Sequence, residues 1–149
     1  MLSMNELRAF LKRNNCDFEI LAHEKPIVST LDAARYFDME KAAPTFIMET
    51  EQGLVAIIVS FKRRRMDFKA MKRALGFSKL KMADSGKVLE ITGAIPLIGH
   101  DLPCVFDDWL LAFDYIYGGT GDALHTLKIK PTDVASPNNV VKHILKVCP

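Results

Sequence analysis

Two β-prone runs, residues 45–48 and 54–60, flank a turn at Glu51, Gln52 and Gly53. The second is rich in valine and isoleucine, and β-branched runs around a glycine turn predict an antiparallel hairpin. A lone hairpin is marginal in water, so this feature obliges the chain to build a sheet and cover it. Residues 54–59 are also the longest apolar run. They fall far short of the ~20 residues a membrane helix requires, so no membrane partner is expected.

Helices are predicted on both sides of the hairpin. Ser3 and Glu6 have capping-box spacing, with Leu2 and Leu7 at the positions of a hydrophobic staple. A helix over 4–12 follows, with Leu7, Phe10 and Leu11 on one face and Asn14 and Asn15 as its stop. Phe18 and Ile20 alternate with polar neighbours, as on a short strand leading into His23. Thr30 is placed to cap a helix over 31–37. Asp67 is placed to cap a helix carrying Phe68, Met71, Ala74 and Leu75, and Gly76 suits its left-handed end. Short strands are predicted at 79–82, 104–106, 115–117 and 125–129, with a turn at Gly118, Gly119 and Gly121 between the last two. A final helix is expected from Ser136 and Pro137 through Val140, Val141, Ile144 and Leu145. Helices scattered among hairpin-like strands predict an α+β fold with a mixed sheet.

At 149 residues, with 49% hydrophobic and 26% charged residues, the chain fits a single globular domain over 1–149. A net charge of +2 announces no global attraction for polyanions. The run Lys62, Arg63, Arg64, Arg65 is the local exception: it reads as a phosphate-contacting patch or as solvated surface. Three widely spaced cysteines, Cys16, Cys104 and Cys148, argue against a disulfide framework and for a reducing compartment. Charged residues within the first thirteen positions do not fit a signal peptide, and a cytoplasmic location is expected.

No P-loop, dinucleotide, zincin or Cys-x-x-Cys signature is present. His23, His100, His125 and His143 are scattered, so no metal and no cofactor is expected. Cys16 and Cys104 read as core residues. Asp107 and Asp108 are adjacent and would point to opposite faces of a strand, which suits a cap or turn role for one of them better than a shared proton. The segment Gly93, Ala94, Ile95, Pro96, Leu97, Ile98, Gly99 is apolar where loops are normally polar. It reads either as backbone amides presented to a ligand or as a buried crossover between strands.

Several of these segments, in this order, resemble the YbaK/EbsC family of aminoacyl-tRNA deacylases, which includes the editing domain inserted in bacterial prolyl-tRNA synthetases. The similarity runs over residues 18–134. HEKPIVSTLDAA from His23 is similar to the family's histidine followed by a Thr-x-x-Ala-Ala helix start. DFKAMKRALG from Asp67 resembles its Asp-Leu-Lys-Lys helix ending in Ala-Leu-Gly. GAIPLIG from Gly93 resembles its Gly-Ala-Val-Pro-Pro-Phe-Gly loop, with Asp107 in the place of the aspartate on the next strand. GTGDALHTLKIKPTD from Gly119 resembles its glycine turn and last histidine-bearing strand. One departure stands out: the family's lysine precedes a Thr-Leu pair, and here Pro44 precedes Thr45 and Phe46.

The resemblance implies a mixed, partly barrel-like sheet surrounded by helices, and hydrolysis in trans of the ester joining a wrong amino acid to tRNA. Its implied partners are mischarged tRNA and an aminoacyl-tRNA synthetase; DNA is not expected. Gly93 and Gly99 would supply backbone approach sites, with His23 as a polar catalytic group and Lys41, three residues before Pro44, as a replacement for the missing ammonium. Thr30, Pro44, Thr45, Pro96, Asp107, Gly119 and His125 would line the substrate site, and Lys62, Arg63, Arg64 and Arg65 would meet tRNA phosphates. Loss of the lysine also fits a different reading, binding of an aminoacyl end without turnover. A third, a structural partner of a synthetase, would require an exposed apolar patch at Trp109 and Phe113, for which core burial is the ordinary alternative.

Overall fold

The computed structural model describes residues 3–27, 30–63, 68–82, 96–98 and 102–144. Helix α1 (Met4–Arg13) opens with the expected capping box: the Ser3 hydroxyl accepts from the Glu6 amide and the Glu6 carboxylate accepts from the Ser3 amide. It ends at Asn15, whose φ of 54° lies in the left-handed region that asparagine tolerates. Its Leu7 and Leu11 are buried.

Strand β1 (Phe18–Ala22) pairs antiparallel with β7 (His125–Ile129), from Phe18 opposite Ile129 to Ala22 opposite His125. Strand β6 (Ile116–Gly119) lies on the other side of β7, giving a three-stranded sheet in the order β1-β7-β6. The hairpin is β2 (Thr45–Thr50) and β3 (Gly53–Ile58), with Gly53 at a φ of 107°. It seeds a five-stranded sheet in the order β4-β2-β3-β5-β8, where β4 is Leu80–Met82, β5 is Cys104–Asp107 and β8 is Val140–Ile144. The pairs β4/β2 and β2/β3 are antiparallel, and β3/β5 and β5/β8 are parallel, so the sheet is mixed. A parallel bridge between Ala42 and Tyr117 ties the segment before β2 to β6, and the Ala43 amide donates to the Tyr117 carbonyl at 2.7 Å.

The five-stranded sheet has a core on each face. Val55, Ile57 and Val59 join Met48, Val105 and Ile144 under Met71 and Leu75 of α3 (Phe68–Leu75). Ile58 and Phe106 face the other way, into a core shared with Leu7, Leu11, Ile116, Leu127 and Ile129. Because β3 is covered on both sides, its sequence reads as a continuous apolar run. Gly76, φ 76°, ends α3 as expected; the expected cap Asp67 lies outside the described residues.

Two sequence expectations are corrected. Helix α2 is shorter than 31–37: it spans Thr30–Ala34, and the amides of Arg35 and Tyr36 bond three residues back, a tightening that closes the helix and turns Phe37 onto Tyr117. The final segment is the strand β8, not a helix. Val140, Val141 and Ile144 are β-branched, and β5 offers a parallel edge that they complete. The helix in this region comes earlier, α4 (Pro131–Ala135), with Pro131 in its first turn. Among the described residues no helix is long and apolar enough to cross a membrane.

Candidate active site

The segment between α2 and β2 crosses over the glycine-bearing strand β6. Gly118 has no room for a Cβ, whose position is filled by the Leu97 side chain. The gap left between these elements is a cleft open to solvent, with about 380 Å³ of free space counted out into its mouth. Ile27, Ala33, Phe37 and Met39 form one wall, and Ala42, Ala43 and Pro44 a second. Tyr117, Gly118, Gly119 and Thr126 close it. Phe37 and Tyr117 stack with ring centroids 4.8 Å apart. Of these lining residues only Tyr117 and Thr126 carry a hydroxyl, so the cleft is apolar with few polar handles, as small-ligand sites usually are.

One handle is already paired. Thr126, only 4% exposed, places its Oγ1 2.7 Å from His23 Nε2. The His23 ring packs on Tyr36 with centroids 4.2 Å apart, and the His23 amide donates to the Leu124 carbonyl. Burial, and then the charge of nearby His125, hold the His23 imidazole below its usual titration range. His125 does not line the cleft. Its Nδ1 lies 3.1 Å from Asp122 Oδ2, and the Leu124 amide first, with help from His125, keeps the Asp122 carboxyl below its usual range. Alternation along β7 explains the division: Thr126 and its neighbour His125 point to opposite faces.

The other sequence candidates fall in several places. Pro44 and Gly119 line the cleft. Thr45, next to Pro44, is 1% exposed, and its hydroxyl has no hydrogen-bond partner among the described residues. Thr30 begins α2. Lys41 closes a short 3-10 turn (Met39–Lys41), with its ammonium 3.2 Å from Asp114, which raises the lysine's pKa and lowers the aspartate's. Asp107 is fully buried: its carboxylate accepts from the Ser60 amide at 2.9 Å and caps the 3-10 helix Asp108–Ala112 through the Trp109 amide. Asp108 pairs with His143 at 2.7 Å.

Of the apolar glycine-proline segment, Pro96, Leu97 and Ile98 are described, and all three are buried. The Leu97 amide donates to the Gly119 carbonyl at 3.0 Å, and the Leu97 carbonyl accepts from Asn138 Nδ2. That amide is therefore engaged with β6 and not presented to a ligand, which favours the buried crossover at Leu97. Gly93 and Gly99 lie outside the described residues, as do Arg64 and Arg65. Lys62 stands 5.6 Å over the Phe113 ring, and Phe61, which precedes it, donates its amide to the Ala42 carbonyl of the cleft wall. Arg63 ends the 3-10 turn Phe61–Arg63.

Cys104 is buried in the core, and burial pushes its thiol up to about 12. Cys16 is also raised, by burial and then by Asp133. Neither has the electropositive setting of a reactive cysteine. Phe113 packs against the core at partial exposure, and Trp109 is likewise half-buried. Among the described residues no group of three or more His, Cys, Asp or Glu side chains converges in metal-ligating geometry.

The sequence reading missed Thr126, Tyr117, Phe37 and Tyr36. Thr126 carried a usable signal, since a threonine beside a strand histidine takes the opposite face. The two tyrosines and Phe37 carried none, because their partners come from distant parts of the chain.

Solved structures share this architecture. The hypothetical protein APE2540 superposes with a TM-score of 0.76 at 20% identity, over 92% of this chain and 96% of that one. A candidate trans-editing enzyme for prolyl-tRNA synthetase superposes with a TM-score of 0.74 at 18% identity, over 97% of each chain. No curated protein sequence gives a significant match. The sequence profile of the aminoacyl-tRNA editing domain matches residues 24–136, which takes in the cleft and His23's partner Thr126 and leaves out only the edge strands β1 and β8 of the two sheets. With three quarters of its length accounted for in this way, the chain belongs to the aminoacyl-tRNA editing domain family.

Proposed function

We propose that this protein is a deacylase that acts in trans on mischarged tRNA, with the aminoacyl group seated in the cleft between Pro44 and β6. The observation that carries this reading is an apolar cleft bordered by one hydroxyl–imidazole pair, in a chain of the editing-domain family. An aminoacyl ester is already activated, so a positioned water and amide donors at the developing oxyanion suffice without a protein nucleophile. Gly93 and Gly99 are the proposed sources of those amides, and Thr45 and Gly119 border the acyl group. Pro44 brings neither charge nor an amide donor where the family's lysine stands. Lys41 is the proposed substitute: its pair with the 72% exposed Asp114 side chain is of the solvent-screened kind that contributes little and exchanges readily. The basic run from Lys62 begins beside the cleft wall, which suits contact with tRNA phosphates.

The test is release of free amino acid from alanyl-, seryl-, threonyl- and cysteinyl-tRNA. Turnover of at least one above its spontaneous rate is the expected result. Saturable binding of these tRNAs with no release of amino acid from any would contradict the proposal and leave a binding protein.

A further inference from the structure

We propose that Thr126 and His23 form a proton relay, in which the Thr126 hydroxyl holds the attacking water in the cleft and passes its proton on to His23 Nε2. The inference rests on the deacylase reading and adds the two groups that would activate the water.

The geometry is that of an activated hydroxyl: oxygen and base within hydrogen-bond reach at 2.7 Å, and the base fixed by a third group, the Tyr36 ring. Thr126 is at once a wall of the cleft and a partner of His23. With the ring proton on Nδ1, Nε2 accepts the threonine proton, and the lone pairs of Oγ1 remain to accept from a water in the cleft. Among the described residues, the titratable groups around His23 are His125 on β7, Asp122 beyond it, and Tyr36 after α2. Burial and His125 together favour the neutral imidazole, the form that can accept a proton.

The step balances. As water oxygen bonds to the ester carbonyl carbon, a water proton moves to Oγ1 and the Thr126 proton moves to Nε2, leaving a tetrahedral oxyanion and an imidazolium. Collapse breaks the bond to the ribose oxygen, which takes the proton back along the same path. The amino acid and tRNA leave with Thr126 and His23 restored. A secondary hydroxyl buried to this degree would have a structural role alone if it only satisfied the histidine, and the two roles predict different kinetics.

The experiment compares wild type, Thr126→Val, Thr126→Ser and His23→Gln on the mischarged tRNA the wild type hydrolyses, with kcat and KM measured from pH 5 to 8. The expected result is a loss in kcat of about a hundredfold or more for Thr126→Val with KM within twofold, as for removal of general acid–base help. Thr126→Ser should restore most of kcat. Wild-type kcat should fall on an acid limb below the usual imidazole value of ~6.5, and that limb should vanish in His23→Gln. Unchanged kcat in Thr126→Val, a change in KM alone, or an acid limb that survives in His23→Gln overturns the relay while leaving the deacylase standing. An acyl group trapped on Thr126 by denaturing quench also overturns it, in favour of a covalent route. Failure of the wild type to release amino acid from any of the four tRNAs removes the deacylase reading and the relay with it.

Discussion

Gly118 is fixed by contact, not by backbone conformation. A methyl group there would enter the volume of Leu97, itself fully buried and bonded through its amide to Gly119. Overpacking of this kind costs about 1–3 kcal/mol, so Gly118→Ala should lower the unfolding free energy from urea titration by an amount in that range, with the midpoint falling in proportion. Its placement on the cleft floor adds a functional consequence, since relief of the clash must move Leu97 or β6. His23 sets a different expectation. Its folded pKa is lowered, so the unfolded imidazole takes up a proton first as the pH falls. The folded state then binds fewer protons than the unfolded one, and stability, full above ~6.5, declines as the pH drops through the lowered folded value. Melting temperatures between pH 7.5 and 5 should show this decline, and His23→Gln should remove part of it.

At the scale of elements, the hairpin, α1, α3 and β7 were legible because each carries its own local signal: a β-branched run about a glycine turn, a capping box, a glycine end, a period of two. The last element was not. Residues 137–145 place apolar side chains at spacings that a helix also satisfies, and only the vacant parallel edge of β5, whose Cys104 pairs with Val140 from 36 positions upstream, selects the strand. Burial along β8 gives the distinction a measurable form. Ile144 is 3% exposed and packs under α3, whereas Val141 is 51% exposed. Ile144→Ala should therefore cost about 2–5 kcal/mol and Val141→Ala within about 0.5 kcal/mol in denaturant titrations. A helix presenting both residues to the core would make the two losses comparable.

At the scale of the whole molecule, the site is made where the two sheets meet. Histidines, glycines and Pro44 could be singled out from the sequence, but not the partners that orient them: Tyr36 lies thirteen positions from His23, and Thr126 over a hundred. The apolar segment at Leu97 illustrates the same limit, since its composition fits a ligand cradle and a buried crossover equally until Gly119 and Asn138 are seen to take up its polar groups. Lys62, which follows Phe61 at the cleft wall, carries its own prediction. Lys62→Glu should weaken binding of tRNA and lower the slope of log affinity against log salt by about 1 or more.

The cleft between Pro44 and β6 is the proposed place of aminoacyl-ester hydrolysis. Met39, half-buried on the cleft wall, can be enlarged to fill it without entering either core. The most direct measurement is therefore amino-acid release from mischarged tRNA by wild type and by Met39→Trp, with folding of both checked by circular dichroism. Turnover by the wild type and its loss in a folded Met39→Trp are predicted; equal turnover by both, or none by either, would contradict the assignment of this cleft.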